Sequence, residues 1–384
     1  MSNKPKLRFK EFNDEWREDK LCNLFLINAG GDIDSSHCSS EKTEKFCYPI
    51  YANALTNNGL YGYSDIYKVE GHTITVTGRG DVGHATPRKE PYYPIVRLLV
   101  LRPQHNENVD FFASVINSTR IFLESTGVPQ LTSPQLSKVK VSYPSTQEQN
   151  RIAEVLNKVD EVIAEREEEV KDLEKQKKGL MQKIFSQQLR FTDSNNNPYP
   201  DWKEKNVGNL GTVITGSTPK TEDKSNYGND FLWCSPADLG STKYITQTQK
   251  MLSSKGFNCT RKLPANSILV TCIGSTIGKI GISSCEMSTN QQINSIIPCN
   301  NNSDFIYYAL IYSFPRYMSV IATQAVPIIN KTEFEKLTLQ VPCLEEQQKI
   351  ANILSKLDEL IEEKKALLDD WQSFKKGLLQ QMFV

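Results

Sequence analysis

The stretch VPQLTSPQLSKVKVSYPSTQEQNRIAEVLNKVDEVIAE, residues 128–165, recurs without a gap 198 residues later as VPIINKTEFEKLTLQVPCLEEQQKIANILSKLDELIEE, residues 326–363. The register holds towards the end of the chain, where KKGLMQKIF (177–185) matches KKGLLQQMF (375–383). A period of this length is too long for a solenoid repeat. The chain therefore contains one module that has been duplicated, and we expect its target to be bipartite or two-fold.

Length and composition restrict the class of protein. At 384 residues the chain is long enough for two or three domains, and its formal net charge of zero gives no indication of nucleic acid. Nine cysteines without a CxxC pair indicate a reducing compartment. All four histidines lie in the first half, which excludes a metal or catalytic histidine common to both modules. No apolar run is long enough for a membrane helix or a signal peptide, so we expect a cytoplasmic protein without membrane contact.

Each copy of the repeat ends in a long amphipathic helix. Apolar residues from Ile152 to Ile184, and from Ile350 to Met382, recur at intervals of three, four and seven, which is typical of a coiled-coil seam. Because the two helices match in length and pattern, we predict that they pair antiparallel. The remaining seam positions are basic, and they either face acidic groups or a partner, or extend their long stems past the seam. These positions are Arg166, Lys177, Lys364 and Lys375.

A shorter repeat indicates that the two halves form a closed arrangement. The tripeptide LRF follows the first helix at residues 189–191 and also begins the chain at residues 7–9. We therefore predict that the N-terminal segment lies where a residue after the second helix would lie. In the same alignment Trp16 matches Trp202.

The segments between these repeats predict mixed α/β modules. Short β-branched runs such as YPIVRLLVLRP (93–103) are bounded by turn residues and predict strands, whereas residues 111–125 and 304–322 predict amphipathic helices. The fold class is therefore mixed α+β, with two globular domains, two long helices in an antiparallel coiled coil and a pseudo-two-fold internal repeat. The predicted boundaries are 1–146 and 187–344 for the globular domains, and 147–186 and 345–384 for the helices.

The loops of both modules are rich in side chains that hydrogen-bond to base edges and phosphates. An ordinary polar loop explains any single one of them, but together they favour a DNA interface. In the first module they are Tyr51, Asn53, Asn57, Asn58, Tyr61, Arg79, Arg88 and Lys89, and in the second they are Ser217, Thr218, Lys220, Tyr227, Ser275, Thr276, Lys279, Asn290, Gln291 and Gln292.

Two motifs that suggest catalysis do not meet its requirements. GSTIGK (274–279) has one residue too few for a phosphate loop, and Ile280 stands where that loop needs Ser or Thr for magnesium. Asp201 with Glu222 and Lys224 can be aligned with a nuclease pattern, but the first module has no counterpart. We therefore predict no catalytic residue and no metal site in this chain.

Two variable modules that begin near LRF and end in an EQ..IA..L helix closing with KKGL.Q..F resemble the specificity (S) subunit of type I restriction-modification enzymes. The resemblance covers essentially the whole chain. Its most specific parts are the two Glu-Gln helix starts and the GSTP element at 216–219, which is degraded to NAGGDID (28–34) in the first module. It implies two target-recognition domains, each of which binds one half of a split site in double-stranded DNA.

The same resemblance implies partners. The long helices would dock two modification (methyltransferase) subunits, and restriction (translocase and nuclease) subunits would join that core. S-adenosylmethionine, ATP and magnesium would be bound by those partners and none by this chain. The helix residues assigned to partner binding are Glu148, Gln149, Ile152, Leu156, Glu346, Gln347, Ile350 and Leu354. Two competing interpretations are a coiled-coil scaffold with protein-binding heads and a stand-alone nuclease.

The helix length leads to the first testable prediction. About 38 helical residues at ~1.5 Å each make a rod of about 57 Å, which spans about 17 base pairs of DNA. Inserting about four residues into the first helix lengthens it by ~6 Å, so the unread spacer of the DNA site should grow by about one or two base pairs. The methylation motif of the variant measures this, and a change in either half-site would contradict it.

Overall fold

The computed structural model of the protein describes residues 5–119, 130–321 and 328–383. The chain divides into two compact units, Met1–Glu168 with Ala366–Val384, and Glu169–Lys365. Each unit contains one globular module and one half of each long helix. Within the described ranges, no helix has both the length and the apolar character needed to cross a membrane.

The first unit consists of small, mainly antiparallel sheets with helices packed against them. Its elements are β1 (Arg17–Lys20), α1 (Leu21–Leu24), β2 (Phe25–Ala29), β3 (Cys38–Ser39), β4 (Tyr48–Tyr51), β5 (Leu60–Ser64), β6 (Thr73–Val76), β7 (Ala85–Arg88), β8 (Tyr93–Pro94), β9 (Leu99–Pro103), α2 (Val109–Ser118), α3 (Ser133–Ser137), β10 (Lys140–Tyr143) and α4 (Thr146–Phe185), of which α4 continues into the second unit. The strand orders are β2-β9-β6-β7, β3-β5-β4-β8 and β1-β10.

The second unit has three sheets in a similar plan, and its main sheet has one additional edge strand. Its elements are β11 (Lys203–Asn206), β12 (Gly211–Thr215), β13 (Tyr227–Cys234), β14 (Tyr244–Ile245), β15 (Met251–Leu252), α5 (Ser254–Asn258), β16 (Lys262–Leu263), β17 (Ile268–Thr271), β18 (Ile280–Ser283), β19 (Met287–Thr289), β20 (Ile293–Pro298), α6 (Ser303–Ile321), α7 (Lys331–Glu335), β21 (Thr338–Val341) and α8 (Leu344–Met382), which ends in the first unit. The strand orders are β12-β20-β17-β18-β14, β15-β13-β19-β16 and β11-β21.

Two predicted elements differ from the structure. The run 93–103 forms two strands, because Val96 and Arg97 adopt left-handed φ angles of 48° and 60° between β8 and β9. The turn takes the chain from the sheet of β4 to the sheet of β2 and β6. The helix predicted over 111–125 ends at Ser118, since Thr119 is extended, and the rest of that segment lies outside the described residues.

The Glu-Gln pair at the start of each long helix is buried against its own module. The Glu148 carboxylate, 1% exposed, accepts hydrogen bonds from Arg8 Nε and Nη2, both at 2.8 Å, and from Trp16 Nε1 at 3.4 Å. In the second unit Glu346, 0% exposed, accepts from Arg190 at 2.9 and 3.0 Å and from Trp202 at 3.1 Å. The repeated LRF, Trp and Glu-Gln motifs are therefore parts of one arrangement of ion pairs and hydrogen bonds that occurs in both units. We call this arrangement the frame.

The glutamine that follows connects the same helix start to the module's main helix. In the first unit the Gln149 side chain donates to Pro144 O at 3.0 Å and accepts from the backbone N–H of Asn108 at 3.1 Å. In the second, Gln347 donates to Pro342 O at 3.0 Å and accepts from the N–H of Asn302 at 2.9 Å. Because these amide side chains use a donor and an acceptor in each copy, they hold α2 and α6 at equivalent positions.

The predicted closure of the two halves is confirmed inside each unit. In the second unit the Leu189 N–H donates to Lys183 O at 2.9 Å, and the two residues belong to one continuous stretch of chain. In the first unit the Leu7 N–H donates to Gln381 O, also at 2.9 Å, although the two residues lie at opposite ends of the sequence. The N-terminal segment thus occupies the position that would follow α8.

The long helices pair antiparallel within each unit. In the first, Lys375 forms an ion pair with Asp160 and Gln372 donates to Glu167 at 3.2 Å. In the second, Lys177 pairs with Asp358, and Lys364 and Lys365 pair with Glu169 and Glu174 at 2.7 and 2.8 Å. The lysines at the three seam positions therefore face acidic groups on the neighbouring helix.

The buried carboxylates lead to a prediction about stability. Replacing Arg190 by Met leaves the Glu346 carboxylate buried without its cation, which should lower the free energy of unfolding of the second unit by about 3 kcal/mol. The matched control is Lys331→Met, which removes an exposed i,i+4 ion pair to Glu335 and should cost less than about 0.5 kcal/mol. Amide hydrogen exchange of β21 and α7 measures the difference, and equal protection in the two variants would contradict it.

Candidate nucleic-acid interface

Three loops of the second unit meet at one end of its main sheet. Thr215 at the end of β12 pairs with Asn294, and Thr271 at the end of β17 pairs with Ile293 at the start of β20. The loops 216–220, 272–279 and 290–292 therefore leave the sheet side by side. Most of the side chains predicted for DNA contact in this unit lie in these loops: Ser217, Thr218, Lys220, Ser275, Thr276, Lys279, Asn290, Gln291 and Gln292.

Hydrogen bonds hold two of these loops against each other. The Ser217 N–H donates to Thr289 O at 2.8 Å, and the Thr218 hydroxyl bonds to Gln291 Oε1. The loops approach so closely that a Cβ at position 216 would lie 2.1 Å from Asn290 O, so this position requires glycine. Close packing between the two loops therefore explains the glycine of the GSTP element.

The polar side chains of loop 290–292 are also ordered. Asn290, 9% exposed, donates from Nδ2 to Gln292 Oε1 at 2.9 Å and accepts from the Gln292 N–H at 3.1 Å. Gln291 is exposed. The loop thus presents amide groups from a preformed conformation, which reduces the entropy lost on binding.

Arg261 joins this group, and the sequence analysis missed it. Its guanidinium Nη1 donates to Thr215 O at 2.7 Å, its backbone N–H donates to Ser217 Oγ at 2.9 Å, and the residue is exposed. Arginine is the side chain that most often contacts guanine edges. No motif or repeat marks Arg261, because its position depends on the pairing of β16 with β19.

Nine of the ten residues predicted in this unit lie in these three loops, and the tenth, Tyr227, lies at the start of β13. The turn 272–279 connects β17 to β18 and contains Gly274 and Gly278 at φ 95° and 89°, so GSTIGK is a strand-to-strand turn and not a phosphate loop before a helix. The Tyr227 ring contacts Trp233 edge to face at 6.4 Å. Nearby, hydrogen bonds from Lys255 and then Ser225 lower the pKa of Asp223 to about 2.

In the first unit, Asn53 connects two of the predicted loops. Its side chain donates to Arg79 O at 2.9 Å and accepts from the Gly78 N–H at 2.6 Å. These bonds fix the backbone of the turn between β6 and β7, while the exposed Arg79 side chain reaches Gln130 at 3.4 Å. Asn57 and Asn58 adopt φ angles of 49° and 53° at an exposed loop tip.

A second group in this unit combines a buried pair, Arg88 with Tyr51, and two exposed side chains, Lys89 and Tyr61. The Arg88 guanidinium, with the residue 5% exposed, lies 3.6 Å from the centre of the Tyr51 ring and donates to Thr75 Oγ1 at 3.0 Å and Asn58 O at 2.9 Å. Burial lowers the pKa of Arg88 and raises that of Tyr51. Lys89 pairs with Asp110 at 3.2 Å, and Tyr61 is 68% exposed. Contact of these four side chains with DNA stays a prediction, as it does for all the other loop residues predicted in both units.

The eight helix residues assigned to partner binding have exposures of 3% or less. They belong to the cores that the helices form with their own modules, and their contact with a partner subunit stays a prediction. Among the residues that the structure describes, no group of three or more His, Cys, Asp or Glu side chains is arranged to hold a metal ion.

A sequence model of the family described as "Type I restriction modification DNA specificity domain" matches residues 13–175 and again residues 199–369. The two matches correspond to the two repeats and cover most of the chain.

Individual relatives agree with this assignment. The chain is 36% identical over 175 residues to the HindI specificity subunit of Haemophilus influenzae, covering 43% of this chain and 38% of that one. It is 33% identical over 172 residues to the MjaIX specificity subunit of Methanocaldococcus jannaschii, covering 43% and 40%. These matches thus span about two fifths of each relative. A putative MjaX specificity subunit from the same organism is 24% identical over 306 residues, covering 74% and 69%.

The fold has a solved counterpart. The crystal structure of a type I restriction-modification system S subunit from M. genitalium superposes with a TM-score of 0.69 over 99% of both chains at 17% identity, which shows a shared fold. The two matches of the family model, together with the repeated structural frame, show that the chain belongs to the type I restriction modification DNA specificity domain family.

Proposed function

We propose that this chain is the DNA-specificity subunit of a type I restriction-modification complex and that each globular module reads one half of a split site in double-stranded DNA. The observation that carries the proposal is the contrast between frame and loops. The Arg-Glu-Trp contacts repeat almost bond for bond, whereas the loops at the ends of the main sheets carry different side chains. A constant frame with two different polar surfaces suits recognition of two different half-sites.

The loop chemistry supports DNA as the ligand. Asparagine and glutamine amides form bidentate hydrogen bonds with adenine, and arginine does so with guanine. The second unit presents Gln291 and Arg261 from loops that are already held in place. In the first unit, Arg79 extends from a turn that Asn53 fixes. Lysines such as Lys220 are suited to phosphate contacts, which position the protein without reading sequence.

The proposal assigns the chemistry to partner subunits. Two modification subunits would bind S-adenosylmethionine and methylate the site, and restriction subunits would use ATP and magnesium. This chain would supply recognition and, on its long helices, the docking surface. The cytoplasm is the compartment in which such a complex meets its DNA.

A methylome tests the proposal. The chain is co-expressed with its cognate modification subunit in a methylation-free host, and the genome is sequenced for modified adenines. The expected result is a split motif, two short specified blocks around a fixed gap. A soluble complex that methylates nothing would contradict the proposal. A protein scaffold would also show no salt-dependent or sequence-dependent DNA binding, unlike a specificity subunit.

The loop packing leads to a prediction about one half-site. Gly216→Ala places a methyl group against Asn290 O and must displace loop 290–292. Losing one bidentate base contact costs about 1–3 kcal/mol, so affinity for one half-site should fall by about 5- to 150-fold while the other half-site is read normally. Competition binding with half-site variants measures this.

The control for this variant is Gly377→Ala. A Cβ at Gly377 meets nothing within 4 Å, and the residue lies inside α8. This substitution should leave both half-sites unchanged and stabilise the protein by about 0.5–1 kcal/mol. If Gly216→Ala altered both half-sites or neither, the assignment of these loops to one half-site would be wrong.

A further inference from the structure

Lys243 connects the additional edge strand of the second unit to the long helix of the same unit. Its carbonyl accepts from the Ile282 N–H at 2.8 Å, beside the pairing of β14 with β18. Its ammonium group, on a side chain that is 11% exposed, lies 2.6 Å from Asp304 Oδ1. It also donates to Ser355 Oγ at 2.7 Å and to Tyr308 OH at 3.1 Å. One side chain therefore contacts α6 and α8 from the sheet.

The same polar network continues to the other long helix. Tyr308, which is 0% exposed, donates its hydroxyl to the Asp358 carboxylate, and Asp358 forms the ion pair with Lys177 of α4. Burial and the hydrogen bond to Asp358 raise the pKa of Tyr308. The network thus extends from β14 to both helices of the pair.

The first unit has the helix pair, but its residues 5–119, 130–168 and 366–383 do not form this connection. Its equivalent ion pair joins Lys375 to Asp160. The position equivalent to Tyr308 is Ser114, whose hydroxyl donates to Asp110 O of its own helix at 3.1 Å. Asp110, the counterpart of Asp304, pairs with Lys89, whose side chain is 60% exposed. In the part of the chain that the structure describes, the additional strand and its lysine therefore occur in the second unit alone.

The segment before Lys243 contacts one of the candidate DNA loops. A Cβ at Gly240, where φ is 95°, would lie 3.3 Å from the Lys279 side chain, so the stem of that lysine lies against the glycine. Leu239 is buried and packs on Gly281 of β18. The short segment 239–243 therefore touches the turn 272–279 at one end and, through Lys243, α8 at the other.

From these contacts we propose that Lys243 is a positioning residue that holds the DNA-facing turn of the second unit at a fixed place on its helix pair. The inference rests on the proposed function and adds to it. Lys243 reads no base, but it determines where the second half-site must lie for the complex to accept it. Loss of Lys243 therefore changes which gap lengths between the half-sites are accepted. It leaves the bases of both half-sites unchanged.

The variant Lys243→Met keeps most of the apolar stem and removes the charge. The remaining groups keep partners, because Asp304 also accepts from Tyr244 OH at 2.7 Å and Asp358 retains Lys177 and Tyr308. A second variant, Ser355→Ala, removes the α8 acceptor and leaves the lysine in place. The matched control, Lys365→Met, removes an ion pair to Glu174 that joins the helices without involving the sheet.

The full-length variants are co-expressed with the modification subunit and their methylomes compared with that of the unchanged chain. Binding is then measured on DNA with the accepted gap and with gaps one base pair longer and shorter. We expect Lys243→Met and Ser355→Ala to reduce the discrimination between gaps by about tenfold, the loss expected from one charged hydrogen bond. Both half-sites should keep their bases, and Lys365→Met should keep the original discrimination.

The outcomes separate the two proposals. If the unchanged chain yields no split motif, the proposed function fails. If it yields one and both variants keep the original gap discrimination, Lys243 is not a positioning residue. A change in the bases of the second half-site would also overturn the inference, since Lys243 would then act in reading. If Lys243→Met does not fold, the gap discrimination of Ser355→Ala decides whether Lys243 is a positioning residue, and unchanged discrimination in that variant overturns the inference.

Discussion

The structure depends on a buried carboxylate at the start of each long helix. Glu148 and Glu346 are almost without solvent contact. Each carboxylate is neutralised by an arginine of the module that its own helix follows, and each accepts a hydrogen bond from a tryptophan indole. A buried carboxylate is costly unless it is paired and hydrogen-bonded. Each helix start is therefore tied to one arrangement of the LRF segment and the module, and the same constraint applies in both units.

The groups that satisfy this constraint are separate from the candidate DNA loops. The bonds that define each unit lie at the helix start, in the aromatic contacts of Phe185 or Phe383, and between the helices. The candidate DNA loops lie on the sheets and use none of these groups. Substitutions in a loop therefore leave the frame intact, which is the property that a subunit needs if its specificity is to diverge.

Much of the frame was predictable because its motifs occur twice in the sequence. The repeat identified the helix pair, the closure by LRF and the equivalence of Trp16 with Trp202, since a repeated motif points to a repeated contact. The candidate site was only partly predictable. Arg261 has no repeat partner, and the burial of Arg88 depends on Tyr51 and Thr75, which only tertiary packing brings to it. Loop polarity alone does not distinguish an exposed amide from one that holds the loop together.

The asymmetry between the units has a physical consequence. An exposed ion pair such as Lys89–Asp110 is screened by solvent and contributes little, whereas the ammonium group of Lys243 is shielded and has three partners. The second module is thus bonded to its helices by a network that has no counterpart among the described residues of the first module. Because a hydrogen-bonded charge in a shielded site resists displacement more than a screened surface pair, the second module should be held more rigidly on its helix pair. Under the proposed function, the gap between two half-sites would then depend more on the helices than on movement of that module.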